Sequence, residues 1–71
     1  MVKPTSLEHY RYVGDKRTQV VYDLDLIDAD ASVAKAVADI VATAQFQTFG
    51  PDTLAEARNR GYRPDRTVTP E

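Results

Sequence analysis

Apolar and polar residues alternate through the first third of the chain. Tyr10 and Tyr12 fall on one face of an extended segment and His9 and Arg11 on the other, until Gly14-Asp15-Lys16 breaks the pattern. From Arg17 to Ile27 the alternation resumes, with Val20, Tyr22, Leu24 and Leu26 on one face and Gln19, Val21, Asp23 and Asp25 on the other. Two such runs around a short polar break predict an antiparallel hairpin. Opposed residues share a face of the sheet, which favours one loop length over another. A two-residue loop would set Tyr10 against Gln19. A three-residue loop, Gly14-Asp15-Lys16, opposes Tyr10 to Val20 and Tyr12 to Thr18 and is the expected arrangement, with a longer loop of the same parity also compatible.

Beyond Ile27 the period changes. Val33, Val37, Ile40, Val41 and Ala44 recur at helical spacing, with Asp28, Asp30 and Ser32 ahead of them as candidate N-caps. This predicts a helix over residues 30–46 whose stripe covers the Tyr10/Val20/Tyr22/Leu24 face of the hairpin. Phe46 falls about 140° from that stripe at 100° per residue, so either the helix stops short of it or its ring serves another surface. A second helix is predicted over 51–60, with Gly50 as N-cap, Pro51 at the first position, Phe49 and Leu54 as a hydrophobic staple, and Gly61 as a left-handed cap followed by Tyr62. At ten residues it is marginal alone and must rest on something. Residues 1–6 and 63–71 read as tails, the latter carrying Pro64 and Pro70. The expected fold is therefore α+β, a small ββαα module in a single domain of residues 7–62: an antiparallel hairpin packed against one longer helix, then a short second helix.

Composition narrows this picture. In 71 residues only 16 are Val, Leu, Ile or Phe, a little above the roughly 20% below which a chain tends to disorder. A domain of this size buries only about 60% of its unfolded surface. With no cysteine, neither a disulfide nor a thiolate metal site supplements that core, and association is the usual remaining remedy. No apolar run approaches the length of a membrane span, and no secretory leader is recognised, so a cytoplasmic location is expected. The formal charge is −2, but the charges are segregated. Asp23, Asp25, Asp28, Asp30 and Asp39 face only Lys35 across residues 23–39, whereas Arg58, Arg60, Arg63 and Arg66 accompany only Asp65 across 57–66.

Candidate chemistry is sparse. The stretch VVYDLDLID, residues 20–28, resembles over nine residues the Asp-x-Asp motif of phosphatases of the haloacid dehalogenase type, which would make Asp23 the nucleophile and Asp25 its acid/base partner. Leu26 and Ile27 stand where that motif has Gly and Thr, and the fold of that family needs several times more chain. Asp23 and Asp25 are read instead as the solvent face of a strand. Asp28, Asp30, Ser32 and Asp39 fit positions 1, 3, 5 and 12 of a calcium loop, but Val33 replaces the glycine its turn requires and the segment is already helical in pattern. His9 is the single histidine. No catalytic, cofactor or metal site is expected.

Six aromatics exceed what a two-stranded hairpin and two helices bury, and two strands leave two open edges. The expected function is a non-enzymatic protein–protein interaction module, an accessory or adaptor subunit or an obligate homo-oligomer. Phe46, Phe49 and Tyr62 would anchor the partner, and Arg58, Arg60 and Arg63 would supply rim charges. The alternative is a small DNA-binding regulator, dimeric like an antitoxin or repressor, which reads DNA with the basic hairpin tip of Arg11, Lys16 and Arg17 or with the second helix in a helix-turn-helix.

Overall fold

The computed structural model describes residue 7 and residues 9–68. The expected tail at 1–6 and residues 69–71 lie outside them. Six elements follow in the order β1 (Tyr12–Asp15), β2 (Val20–Asp23), α1 (Ala31–Thr43), β3 (Phe46–Gln47), α2 (Leu54–Asn59) and β4 (Arg63–Pro64). The fold is α+β, and the hairpin is its centre. Two further strands extend it into one four-stranded mixed sheet of order β3-β1-β2-β4, in which β3 runs antiparallel to β1 and β4 parallel to β2.

The hairpin register differs from the expected one. Tyr12 lies opposite Asp23, Val13 opposite Tyr22, Gly14 opposite Val21 and Asp15 opposite Val20. Residues 16–19 form the turn, so Gly14 and Asp15 belong to the strand and only Lys16 of the expected loop remains in it. The turn closes through Asp15. Its carbonyl accepts the Gln19 N–H at 2.7 Å, its carboxylate accepts the Arg17 N–H at 2.8 Å, and Gln19 takes the left-handed conformation with φ of 56°. A side chain that accepts from the backbone two residues on stabilises such turns.

The register moves because both faces of the sheet are covered. All four residues of β1 are buried. Val13 and Tyr22 face α1, packing with Leu7, Leu24, Ile27, Val33 and Val37, while Tyr12 and Val21 face α2, with Phe49, Leu54, Ala57 and Val68. A strand covered on both faces has no polar side to fix its phase. Asp23 is correspondingly not on a solvent face. It is 4% exposed, accepts the Asp25 N–H at 3.0 Å to cap a single 3₁₀ turn at Leu24–Leu26, and meets the Arg11 guanidinium at 3.3 Å. The strand predicted to continue to Ile27 ends there.

Both helices are shorter than predicted. Asp30 caps α1, accepting the Ser32 N–H at 2.9 Å and its hydroxyl at 2.6 Å, and Val33, Val37 and Ile40 form its buried stripe. Its end is set at Ala44, which takes φ of 56°. The Ala44 N–H reaches Val41 O and the Gln45 N–H reaches Ile40 O, the paired bonds that terminate a helix through a left-handed residue. Phe46 is thereby released into β3.

The start of α2 is corrected from Gly50-Pro51 to Thr53, whose hydroxyl accepts the Glu56 N–H at 3.1 Å. The Gly50–Pro51 peptide is cis, and both residues precede the helix. The predicted end holds: Gly61 has φ of 86°, its N–H reaches Arg58 O, and the Tyr62 N–H reaches Ala57 O. Asp52, just ahead of the helix, accepts the backbone N–H groups of Arg11 and of Tyr12, the latter at 3.0 Å. It ties the entry of α2 to the start of β1. The segment from Arg63, expected as an extended tail, pairs with β2 through Arg63 and Pro64, and Val68 beyond it enters the core at 7% exposure.

Candidate interaction surface

The six aromatics are distributed by the two-faced sheet. Phe49 is 3% exposed and packs beneath α2, with Tyr62 edge-on to it at 5.3 Å between ring centres. Both lie over Gly14, where an added Cβ would stand 2.5 Å from the Tyr62 ring and 3.1 Å from Phe49. The missing side chain is what admits the aromatic pair, and burial pushes the Tyr62 phenol above its ordinary pKa. Phe49 is thus a core residue, and Tyr62 is half committed to the core. Tyr10, Tyr22 and Phe46 are half-buried against the α1-side cluster. The excess of aromatics expected from a bare hairpin is absorbed once a helix lies on each face.

Of the six residues expected to form one surface, Phe49 and Tyr62 touch each other, but Phe46 and Arg63 stand at opposite edges of the sheet. Phe46 sits on β3 at one edge of the sheet, whereas Arg63 sits on β4 at the other, three strand spacings or roughly 14 Å away. Arg58 and Arg60 are exposed at the end of α2, and Arg60 is held by Glu56 at 2.9 Å one helical turn away. Among the described residues Arg58 and Arg63 make no ion pair. A groove beside α2, lined by Leu54, Ala55, Arg58 and Asn59, is shallow and open.

The basic hairpin is largely neutralised from within. Arg17 reaches Asp15 at 3.2 Å and Asp39 of α1 at 2.7 Å, fastening the turn to the helix. Arg11 bonds Asp23, lies 3.5 Å from Asp25, and stacks 5.0 Å from the centre of the Tyr12 ring. Of the three cations expected at the tip, Lys16 alone is without an ion pair among the described residues. Nor do α1 and α2 form a helix-turn-helix, since they lie on opposite faces of the sheet with β3 between them. Among the described residues no group of three or more His, Asp or Glu side chains is arranged to hold a metal ion, and no helix is long and apolar enough to cross a membrane.

The two edges of the sheet differ. On β4 the exposed pair is Arg63 and Pro64, a charge and a residue without an N–H, both of which discourage strand addition. On β3 the pair is Phe46 and Gln47. The carbonyl of Gln45 accepts the Lys16 N–H at 2.9 Å and Gln47 is paired with Gly14, so the Gln45 carbonyl and the backbone groups of Gln47 turn inward to β1. By the alternation of a strand, the N–H and C=O of Phe46 point outward. The displaced helical phase of Phe46 marks its ring in the sequence, but a two-residue strand carries no alternation that would mark its edge. The chain matches no protein-family model, no curated protein and no solved structure.

Proposed function

We propose that this chain is a small non-enzymatic protein–protein interaction module, an accessory subunit or self-associating unit that joins its partner by strand addition at β3. The observation that carries this reading is the contrast between the edges: β4 is closed by Arg63 and Pro64, whereas β3 presents the outward N–H and C=O of Phe46 beside a half-buried ring. Strand addition draws affinity from main-chain bonds and specificity from the side chains that alternate along the edge. Phe46 supplies both. Phe49 and Tyr62 act at one remove, as the packing that holds the sheet, and Arg63, on the opposite edge, lies too far from β3 to frame that contact.

A photo-crosslinking residue tests this in cells expressing the full chain. Placed at Gln45, which is exposed beside β3, it should give a defined adduct, and placed at Arg63 or Arg58 it should give none. Adducts from the arginine positions with none from residue 45 would overturn the reading.

A further inference from the structure

The longest uncharged stretch of the chain is Ile40–Pro51, 12 residues in a protein that carries 9 basic and 11 acidic side chains; the next longest, Thr18–Tyr22, has 5. It spans the end of α1, all of β3 and the loop to the cis Gly50–Pro51 bond. Neutrality along the open edge points to its occupant. An edge that meets a different protein can carry charges matched by the partner, but one that meets its own copy about a two-fold axis sets each charge near its own image, and like charges opposed across strands are destabilising.

We infer that β3 pairs antiparallel with β3 of a second copy, about a two-fold axis through Phe46. This rests on the strand-addition reading above and names its partner. Because the Phe46 N–H and C=O both point outward, the two copies of Phe46 exchange both bonds with each other. Gln45 then faces Gln47 of the second copy, and Gln47 faces its Gln45. Opposed residues share a face, so the two Phe46 rings lie side by side on the α1 face and join the α1-side clusters of the two copies. The result is one sheet of eight strands, bounded at both ends by β4. Closure follows from the same edge: β3 adding to β4 of another copy would propagate a filament, and Pro64 withholds the N–H such a chain of contacts would use.

The contact strand is short, so self-association is to be read by sedimentation velocity from micromolar to millimolar chain, beside circular dichroism. Two double variants supply the decisive comparison. Gln45→Lys with Gln47→Lys, and Gln45→Glu with Gln47→Glu, each oppose like charges twice across the axis and should weaken the dimer by about tenfold or more while remaining folded. Mixed together, the two should associate at least as well as the unsubstituted chain. As a readout that needs no substitution, the Phe46 amide should become slower to exchange its hydrogen as concentration rises. A dimer indifferent to both variants, or a Phe46 amide whose exchange does not depend on concentration, would overturn the pairing. A chain monomeric throughout that range, with the residue-45 crosslink trapped on some other protein, would overturn the self-pairing and leave strand addition at β3 standing. Monomers with no crosslink at residue 45 would remove both.

Discussion

Single residues in this protein are constrained by what lies on them. Gly14 carries the Tyr62 ring edge, with no room for a Cβ and Phe49 close behind. Gly14→Ala must displace an aromatic pair fixed in the core, and is expected to destabilise by about 1–3 kcal/mol in urea unfolding, the usual range for overpacking. A midpoint unchanged from the parent chain would mean that Tyr62 gives way freely. Asp15 shows a second kind of constraint. Asp15 is 5% exposed within β1, and the hydrogen bond from the Arg17 side chain holds its pKa below the ordinary carboxylate value. A pKa depressed on folding contributes stability that is fully present above the unfolded value of about 3.9 and is lost as pH falls through the folded one. Stability should therefore drop below about pH 4. Asp15→Asn should flatten that acid limb and cost about 1 kcal/mol at neutral pH, a modest figure because Arg17 is 41% exposed and screened by water. Equal acid dependence in the two chains would show that other carboxylates control it.

Elements are legible in the sequence to the degree that they are long or locally capped. The stripe of Val33, Val37 and Ile40 spans about two turns of α1 and is buried as its spacing predicts, and Gly61 ends α2 as its position implies. The N-terminus of α2 is harder to read: Thr53 and Glu56 carry the Ser/Thr-x-x-Glu spacing of a capped start, but Gly50-Pro51 gives a competing signal three residues earlier. For β3 and β4, two residues each, no periodicity exists to be read; they are specified by the sheet they join. Register failed for a related reason. Tyr12-Val13 and Val21-Tyr22 put an apolar side chain on each face in turn, and this removes the contrast that would tell one phase from the next. The end of α1 also contains an uncommon choice, since Ala44 occupies the left-handed region where glycine is at ease. Ala44 is exposed, so Ala44→Gly should stabilise the fold by about 0.5–1 kcal/mol, visible as a raised thermal midpoint. A lowered midpoint would mean that the unfolded chain gains more freedom than the cap gains relief.

At the scale of the whole molecule, the candidate surface was only partly visible from sequence: Phe46 emerged from its displaced helical phase, but the separation of Phe49, Tyr62 and the arginines from it required the strand order. That order also divides a small core into two halves, one beneath each helix, with β1 and β2 contributing to both. Neither half holds enough apolar area to stand alone, and a chain of this length has only several kcal/mol of net stability. Removing part of one half should therefore loosen the other. Leu54→Ala, on the α2 side, is expected to cost about 2–5 kcal/mol. Hydrogen exchange at Val37 amides of α1, on the opposite face, should accelerate together with that at Ala57. Acceleration confined to α2 would show that the halves unfold separately.

The bare position at Gly14 has a further consequence for how the strand is found at all. In a hairpin slipped by one residue, Tyr62 would come down on Val13 or Asp15, each with a side chain where the ring needs none. A two-faced apolar strand could tolerate that slip by hydrophobicity alone. The notch does not, so β1 has a single reading frame, set by an atom group that is absent. Insertions within β1 would shift that frame and move the bare position away from the ring it must admit.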